Sequence, residues 1–359
     1  MEFALSEDQK MLQDSLFGTL ATASSLDHVR KVAAGEADGA AISSALSELG
    51  TVELLVPEDH GGLGLLALDA ALVQEAIGAH VSPADFMARA ALGVTAIMSA
   101  GTPAQQAEWL PRIASGDVRL GGALTEHVGR RESAGVKSEG GALSGMALFA
   151  LEVADATHVL TTDDTGSLYI VPVGSSLSSR TLTTIDRTRT FSELTFEAAE
   201  AETLSGENTS GAAADRTVAL ARILVAADTL GAAQAMLDKS VEYAKERKQF
   251  GRVIGSFQAV KHMCAEMAAK LEPCRSLVWH AAYLFDEEPD RAALMACHAK
   301  AHISEVATFV ARTATEVYGG MGFTDLVGLH YWFKRIGVNR QLFGGPEALR
   351  AEAATLQGF

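Results

Sequence analysis

Between two apolar helical patterns lies the segment Tyr243-Ala-Lys-Glu-Arg-Lys-Gln-Phe-Gly-Arg-Val-Ile-Gly-Ser-Phe-Gln-Ala-Val-Lys-His262, which concentrates basic residues in an otherwise acidic chain. Gly251 and Gly255 interrupt the helical pattern, and glycine lets backbone N–H groups approach a ligand closely. Arg247 carries a planar fork of donors that suits a pair of phosphate oxygens. These residue types predict a site for a phosphate-bearing ligand.

The same segment carries side chains suited to a ribose and a ring system. Gln249 and Gln258 can hydrogen-bond a ribose or an amide edge. Phe250 and Phe257 offer flat apolar faces. The combination indicates a cofactor with phosphates and rings. A solvated basic helix end followed by a turn fits the residue types equally well, because basic clusters are usually solvated surfaces.

The pattern Tyr-x-x-x-Arg-x-Gln-Phe-Gly-x-x-Ile-x-x-Phe-Gln resembles the signature of the acyl-CoA dehydrogenase family, and the likeness extends over nearly the whole chain. In that family this segment of one subunit binds the pyrophosphate and adenosine of an FAD that lies mainly in the neighbouring subunit. The resemblance therefore implies a set of residues that bind FAD across a dimer interface. They are Arg247, Gln249, Phe250, Phe257 and Gln258.

Length and composition limit the class of protein. The chain has 359 residues, which is long enough for two or three domains with sizeable cores. Hydrophobic residues make up 48% of it and aromatic residues are few, so we expect a mainly helical globular protein. The formal net charge of −16 argues against nucleic acid or an anionic membrane as the main partner.

Cysteine content and the first residues bear on the compartment. Cys264, Cys274 and Cys297 are too few and too irregularly spaced for a disulfide framework or a metal site, so we expect buried thiols. Residues 1–17 lack the features of a signal peptide. No apolar run of about 18 residues suggests a transmembrane span. We therefore expect a cytoplasmic protein without a metal.

Changes of pattern along the chain predict three domains: residues 1–118, a helical domain; residues 119–205, a small β domain; and residues 206–359, a helical domain. The predicted strands are His158–Thr162, Ser167–Val173, Arg180–Asp186 and Ser192–Phe196. The predicted C-terminal helices are Val218–Glu246, Ala259–Phe285, Arg291–Val317 and a last helix from Glu347. The expected fold is thus α+β and mainly α. Its α, β, α order is that of the acyl-CoA dehydrogenases, and the resemblance implies that the C-terminal domain is a four-helix bundle.

A second segment, Glu316-Val-Tyr-Gly-Gly-Met-Gly-Phe323, resembles the Gln-x-x-Gly-Gly-x-Gly-Phe of the same family. There the backbone at Gly319 and Gly320 would pass close to the FAD pyrophosphate. Glu316 replaces the Gln of the family, and a carboxylate near a pyrophosphate is repelled unless it turns toward a ribose hydroxyl. A helix end with a glycine turn is the structural alternative.

The catalytic base of the family has no match in this chain. The family's reaction needs a carboxylate that removes a proton from the α-carbon of an acyl-CoA, while a hydride leaves the β-carbon for the flavin. Most members carry this Glu at the position of Gly344, and a minority carry it at the position of Ala221. The resemblance assigns the adjacent Arg222 to substrate binding. Asp228 and Glu347 are poor substitutes, because one lies about 10 Å along the helix from Ala221 and the other suits a helix start.

The half of the site that would hold this subunit's own flavin departs from the family. Leu124-Thr125-Glu126 resembles the family's Leu-Thr-Glu, whose Thr bonds the flavin ring. The Pro-x-x-Gly-Ser-Asp that follows in the family is absent. Phe149-Ala150-Leu151-Glu152 aligns with its Trp-Ile-Thr/Ser-Asn, and Leu151 cannot donate the hydrogen bond that the flavin N5 requires.

These departures predict a subunit that keeps one half of a shared site and has lost the other. The chain is similar to the base-lacking subunit of heterotetrameric, steroid-type acyl-CoA dehydrogenases, which share FAD between unlike chains. The resemblance implies a homologous partner subunit, an acyl-CoA substrate and an electron-transferring flavoprotein as acceptor. A self-sufficient homo-oligomer with a non-standard base and a non-catalytic scaffold subunit are the alternatives.

Overall fold

The computed structural model describes residues 4–129, 131–206 and 211–359. Its first part is helical: α1 Glu7–Ala23, α2 Leu26–Ala34, α3 Ala40–Ser47, α4 Ala67–Ala79, a π-helical turn Met87–Leu92 that continues as α5 Gly93–Ala100, and α6 Pro103–Ala114. Capping residues fix where two of these helices begin. The side chains of Ser6 and Thr102 each accept a hydrogen bond from the backbone three residues on, and Gln9 and Gln105 return one.

The middle of the chain forms an eight-stranded sheet among the described residues. Its elements are β1 Leu120–Ala123, the short helix α7 Thr125–Val128, β2 Gly135–Glu139, β3 Ala142–Leu151, β4 His158–Thr162, β5 Leu168–Pro172, β6 Leu177–Leu182, β7 Phe191–Glu200 and β8 Glu202–Thr203. The strand order is β6-β7-β3-β1-β4-β5-β8, with β2 also paired to β3. The strand predicted over Arg180–Asp186 is wrong in its bounds, because the chain leaves the sheet after Leu182 to form the β6–β7 connection.

The rest of the chain is helical again: α8 Ala212–Glu246, α9 Gln258–Glu287, α10 Pro289–Tyr318, α11 Leu329–Gln341 and α12 Pro346–Leu356. Helices α8, α9, α10 and α11 pack side by side, and α12 packs on α10. Helix α8 is long and apolar enough to cross a membrane, but 89% of its apolar window is buried inside the protein. It is therefore the central core helix. The domain bounds at residues 118 and 205 stay predictions.

A buried polar cluster joins the three parts of the chain. The Arg335 side chain on α11 is fully buried, with Nε 3.5 Å from Asp186 Oδ2 and Nη1 3.6 Å from Asp228 Oδ2 on α8. Gln74 on α4 and Asn339 on α11 both donate to the Asp228 carboxylate, over 2.8 and 2.7 Å. Because every member is buried, the cluster fixes how the helices and the sheet meet.

The cysteines differ from the expectation at one position. Cys274 and Cys297 are buried, and burial raises the pKa of each thiol to about 11. Cys264 is only partly buried, because it lies near the start of α9 where that helix leaves the core. The prediction that all three thiols are buried is therefore wrong for Cys264.

Candidate functional site

The Arg247 segment forms a projection at the end of α8. Arg247 ends the helix in an extended conformation, and a two-residue hairpin follows, with β9 Lys248–Gln249 paired to β10 Arg252–Val253. Phe250 at φ +52° and Gly251 at φ +79° make its turn. Phe250 is 92% exposed, which is unusual for a large apolar side chain.

Charged and aromatic side chains are available on this projection. Neither the Arg247 nor the Lys248 side chain has a hydrogen bond or ion pair with any residue that the structure describes. The Arg252 guanidinium lies 4.0 Å from the centre of the Phe257 ring, and the Phe250 ring meets Phe257 edge-on at 6.1 Å. The projection therefore presents unpaired cations next to fixed ring faces.

The second predicted segment lies at the same end of the helices. Tyr318, the last residue of α10, stacks on Tyr243 with ring centres 4.1 Å apart, and its hydroxyl donates to the Lys239 carbonyl over 3.0 Å. The chain then turns at Gly319, where φ is +60° and a Cβ would meet nothing within 4 Å. Gly320 is equally open. The tyrosine stack thus brings the two glycine-containing segments together.

These residues suit the pyrophosphate and adenosine of an FAD. Arg247, Gln249, Phe250 and Gln258 are exposed, and Phe257 is half-buried. The open backbone at Gly319 and Gly320 allows close approach of a phosphate. Glu316 is exposed and has no side-chain partner among the described residues, so its carboxylate is free to turn away. The FAD roles of all eight residues stay predictions.

The half-site around Thr125 uses its polar groups internally. Thr125 is buried and its hydroxyl donates to the Leu148 carbonyl over 2.5 Å. The Glu126 carboxylate accepts from the Arg131 guanidinium over 2.8 Å and from the Leu148 N–H over 3.3 Å. The role of Thr125 toward a flavin ring stays a prediction, because its only described partner is a carbonyl of its own chain.

Arg131 and Phe149 cover this half-site. The Arg131 guanidinium lies 4.9 Å from the centre of the Phe149 ring, which in turn packs edge-on against Phe191 at 6.2 Å. Phe149 has φ +54°, a conformation that costs energy in a non-glycine residue. Leu151 is buried and offers no side-chain donor. Loss of the half-site for this chain's own flavin stays a prediction, which the absence of a side-chain donor at Leu151 favours.

The two predicted base positions, Gly344 and Ala221, lie next to apolar side chains or inside the core. A Cβ at Gly344, where φ is +109°, would lie 3.2 Å from the Leu349 side chain and 3.6 Å from that of Val128. Ala221 is fully buried on α8. Apolar side chains therefore lie next to the loop at Gly344, and the absence of a base at this position stays a prediction.

Two buried cations hold that loop by its carbonyl groups. Arg222 donates to the Phe343 carbonyl over 3.1 Å and forms a two-pronged ion pair with Glu352 at 2.6 and 2.7 Å. The Lys300 ammonium donates to the Gly344 carbonyl over 2.6 Å. Burial, together with the charges of Arg222 and Arg340, lowers the pKa of Lys300 to about 7. The substrate-binding role of Arg222 stays a prediction, since its donors are engaged within the chain.

The two other candidate carboxylates, Asp228 and Glu347, have partners within the chain. Asp228 is fully buried, and its carboxylate accepts hydrogen bonds from the side-chain amides of Gln74 and Asn339. Glu347 is solvent-exposed at the start of α12 and pairs with Arg340 at 3.0 Å. Whether either one acts as a base stays a matter for the variants described below.

Glu152 is a functional-looking residue that the sequence did not single out. It follows β3, and its carboxylate accepts hydrogen bonds of 2.8–3.1 Å from the successive backbone N–H groups of residues 86–89. Burial, together with the charge of Asp85, raises the pKa of Glu152 to about 7. The residue caps the turn that begins at Met87 and so has a structural use.

Comparisons with known proteins agree with this architecture. A family model described as the acyl-CoA dehydrogenase N-terminal domain matches residues 6–117, and one described as the C-terminal domain matches residues 211–355. An acyl-CoA dehydrogenase of Bacillus subtilis is 31% identical over 303 residues, which cover 76% of this chain and 78% of that protein. The chain belongs to the acyl-CoA dehydrogenase family, whose members are FAD-dependent oxidoreductases acting on CH–CH groups.

Solved structures share the whole fold. The variant named Tcur3481-Tcur3483 steroid ACAD has a TM-score of 0.87 at 27% identity and covers 98% of both chains. The ChsE4-ChsE5 complex from Mycobacterium tuberculosis has a TM-score of 0.89 at 23% identity, with 100% of this chain and 99% of that chain covered. The predicted fold, mainly helical with a central β part, is confirmed.

Proposed function

We propose that this chain is the base-lacking subunit of a heteromeric acyl-CoA dehydrogenase and that it completes an FAD site held mainly by a base-bearing partner. The observation that carries the proposal is the loop at Gly344. There a buried arginine and a buried lysine bind the carbonyls of residues 343 and 344, and position 344 itself is a glycine whose added Cβ would lie 3.2 Å from the Leu349 side chain. A chain with this loop cannot supply the base from either family position.

The contrast between the two half-sites supports the same proposal. The Arg247 projection keeps unpaired cations and open glycines. The Thr125 half-site is covered by the Arg131–Phe149 contact. Exposed unpaired cations form no contact that stabilises the fold, so an anionic ligand that arrives with a partner would give them a use.

Apolar surface beside the projection also favours a partner. Phe323 is 80% exposed and Leu326 is 75% exposed, on the turn between α10 and α11. Isolated exposed apolar side chains are common, but here they accompany Phe250 and a predicted ligand segment. Similar proteins bear paired names, Tcur3481-Tcur3483 and ChsE4-ChsE5, which agrees with an unlike pair of subunits.

Each residue has a proposed role in the shared site. Arg247 would bind the pyrophosphate through its planar donor pair, and the N–H groups at Gly319 and Gly320 would add further donors. Phe250 and Phe257 would cover the adenine, while Gln249, Gln258 and Glu316 would bond polar groups of the adenosine. FAD, when bound, supplies the acceptor for the hydride that leaves the β-carbon. The partner would supply the base.

The finer expectations belong to the same proposal. The substrate would be an acyl-CoA, and loss of half of the active sites leaves room for a bulky, steroid-like acyl group. Arg222 would act on the substrate side only if the Glu352 ion pair opened. The acceptor would be an electron-transferring flavoprotein, and the assembly would be cytoplasmic.

Co-expression tests the proposal directly. The chain is purified alone and together with the product of a neighbouring acyl-CoA dehydrogenase gene, and flavin absorbance and native mass are measured on both. We expect a colourless chain alone and a yellow mixed tetramer with about one FAD per unlike pair. One FAD per chain and dehydrogenase turnover in the chain purified alone would contradict the proposal.

The alternatives predict different outcomes. A self-sufficient homo-oligomer would lose turnover on Glu347→Gln or Asp228→Asn, so unchanged rates in both variants would exclude it. A scaffold subunit would leave the FAD content of the complex unchanged on Arg247→Ala. The matched control for Arg247 is Lys137→Ala, which removes an exposed cation of β2 that has no described partner.

A further inference from the structure

A second basic surface lies away from the Arg247 projection. It is a pocket of about 590 Å³ between α2, the β6–β7 connection and the start of α11, which we call the α2–α11 pocket. Its volume falls within the range of roughly 300–1,000 Å³ that small-molecule sites occupy. Its wall includes the basic residues Arg30, Lys31, Arg187 and Lys334.

Three of these cations have no partner. The side chains of Lys31, Arg187 and Lys334 form no hydrogen bond or ion pair with any part of the chain that the structure describes. They come from three different elements, so the fold brings like charges together at one concave surface. All three are exposed, so solvent screens their mutual repulsion, and an anion bound among them would offset it further.

Two of the three acidic residues of the pocket are paired, one of them with residues of the pocket itself. Asp186 is buried and paired with Arg335 and Arg189. Asp325 pairs with Arg30 at 3.5 Å and accepts from the Tyr331 hydroxyl over 3.1 Å. Glu36 is exposed at the rim. The pocket therefore keeps a local excess of positive charge.

The floor of the pocket is rigid and partly aromatic. Arg30 is held by Asp27 at 2.7 Å and by the carbonyls of Asp325 and Leu326 at 2.6 and 2.8 Å. The rings of His330 and Tyr331 lie with their centres 4.1 Å apart at 36°. Such a floor presents ring surface beside the cations, which suits a planar base next to phosphates.

We propose that the α2–α11 pocket binds a nucleoside diphosphate, with Lys31, Arg187 and Lys334 on the phosphates and the His330–Tyr331 pair on the base. Two phosphates carry enough negative charge to offset three converging cations. Arg187 supplies the planar fork that bonds a pair of phosphate oxygens. The proposal rests on the pocket alone and is independent of the shared FAD site.

Calorimetric titration of the full chain with ADP tests the proposal. The titration uses Arg247→Ala as the background, because the ADP half of FAD would otherwise bind the Arg247 projection. We expect a submillimolar Kd that weakens at least tenfold on adding Arg187→Ala and Lys334→Ala, and that weakens further at high salt. The control Lys10→Ala removes an exposed cation of α1 whose partner is Glu7, and it should leave the Kd unchanged.

Ligand fragments decide which part of the proposal holds. Pyrophosphate should bind several-fold more weakly than ADP, and adenosine should bind more weakly still. No ADP binding below about 5 mM, or binding that the double variant does not change, would overturn the site. Equal affinity for pyrophosphate and ADP would overturn the role of the rings. If the background variant binds no ADP but the wild type does, the nucleotide binds at Arg247 and the pocket proposal fails.

Discussion

The molecule uses its basic residues in two opposite ways. At the Gly344 loop and in the cluster that joins the three parts of the chain, Arg222, Lys300 and Arg335 are buried, and each one binds carbonyls or carboxylates of the same chain. On the projection at the end of α8, Arg247 and Lys248 are exposed and have no partner in the described chain. Removal of a buried cation leaves its partners unpaired and away from water, which destabilises the fold. Removal of an exposed cation leaves no buried group unpaired. The fold should therefore depend on the first group and ligand binding on the second.

The largest effect is expected at Arg335. Arg335→Met leaves the carboxylates of Asp186 and Asp228 buried without this cation, and breaking such pairs costs about 3–5 kcal/mol of the free energy of unfolding. Urea unfolding followed by circular dichroism measures the loss. Lys137→Ala is the exposed control and should change stability by less than about 0.5 kcal/mol. A loss below about 1 kcal/mol at Arg335 would show that the cluster is not what joins the three parts.

Gly344 should give the next largest effect. Gly344→Glu places a side chain at φ +109°, against Leu349, so we expect a loss of about 1–3 kcal/mol. Gly344→Ala isolates the backbone part of that loss. Neither variant should give the chain dehydrogenase turnover by itself, because the Thr125 half-site stays covered. Turnover in the Glu variant would mean that only the base was missing.

Lys300 should produce a pH-dependent effect. Its pKa is about 7 in the folded chain and has its ordinary value of 10.5 in the unfolded chain, so the unfolded state binds more protons between these values. Stability should therefore rise with pH above 7, by up to about 1.4 kcal/mol per pH unit from this group. Lys300→Met removes this rise. Urea unfolding at pH 7.5 and pH 9 measures the rise in the free energy of unfolding. An equal rise in the wild type and in Lys300→Met would contradict the lowered pKa of Lys300.

The smallest effect on stability is expected at Arg247. Arg247→Ala removes an exposed side chain without partners and should change the free energy of unfolding by less than about 0.5 kcal/mol. In the co-purified complex the same variant should weaken FAD binding at least tenfold, which corresponds to about 1.4 kcal/mol. Flavin retention on a desalting column, with Lys137→Ala alongside, measures the difference. Unchanged retention would favour the scaffold alternative.

Long periodic elements were predictable from the sequence, and short or glycine-rich ones were not. The long helices α8, α9 and α10 follow directly from their apolar period. Strand β1 contains two glycines, and Ala142–Leu151 lacks β-branched residues, so neither has a typical strand composition. Helix α11 was missed because two of its inward-facing residues, Arg335 and Asn339, are polar and hide the apolar face.

The candidate site also has a part that was predictable from the sequence and a part that was not. The Arg247 projection is continuous in sequence, so its residue types could be read before the fold was known. The cover over Thr125 needs Arg131 to meet Phe149, and the closed loop needs Lys300 to meet Gly344 across α10 and the α11–α12 turn. Contacts of this kind depend on tertiary packing, so the sequence alone does not predict them. For Lys300, its helical spacing from Ala296, Ile303 and Ala307 was a signal in the sequence for a buried cation.

The contact between Glu152 and the backbone of residues 86–89 has a consequence for hydrogen exchange. The first N–H groups of a helix normally lack partners and exchange with solvent readily. Here they are tied to a carboxylate that follows β3, more than sixty positions away in the chain. Their deuterium uptake therefore measures detachment of the helix from the sheet rather than fraying of the helix itself. The exchange rates of these four amides thus report the stability of the contact between the helix and the sheet.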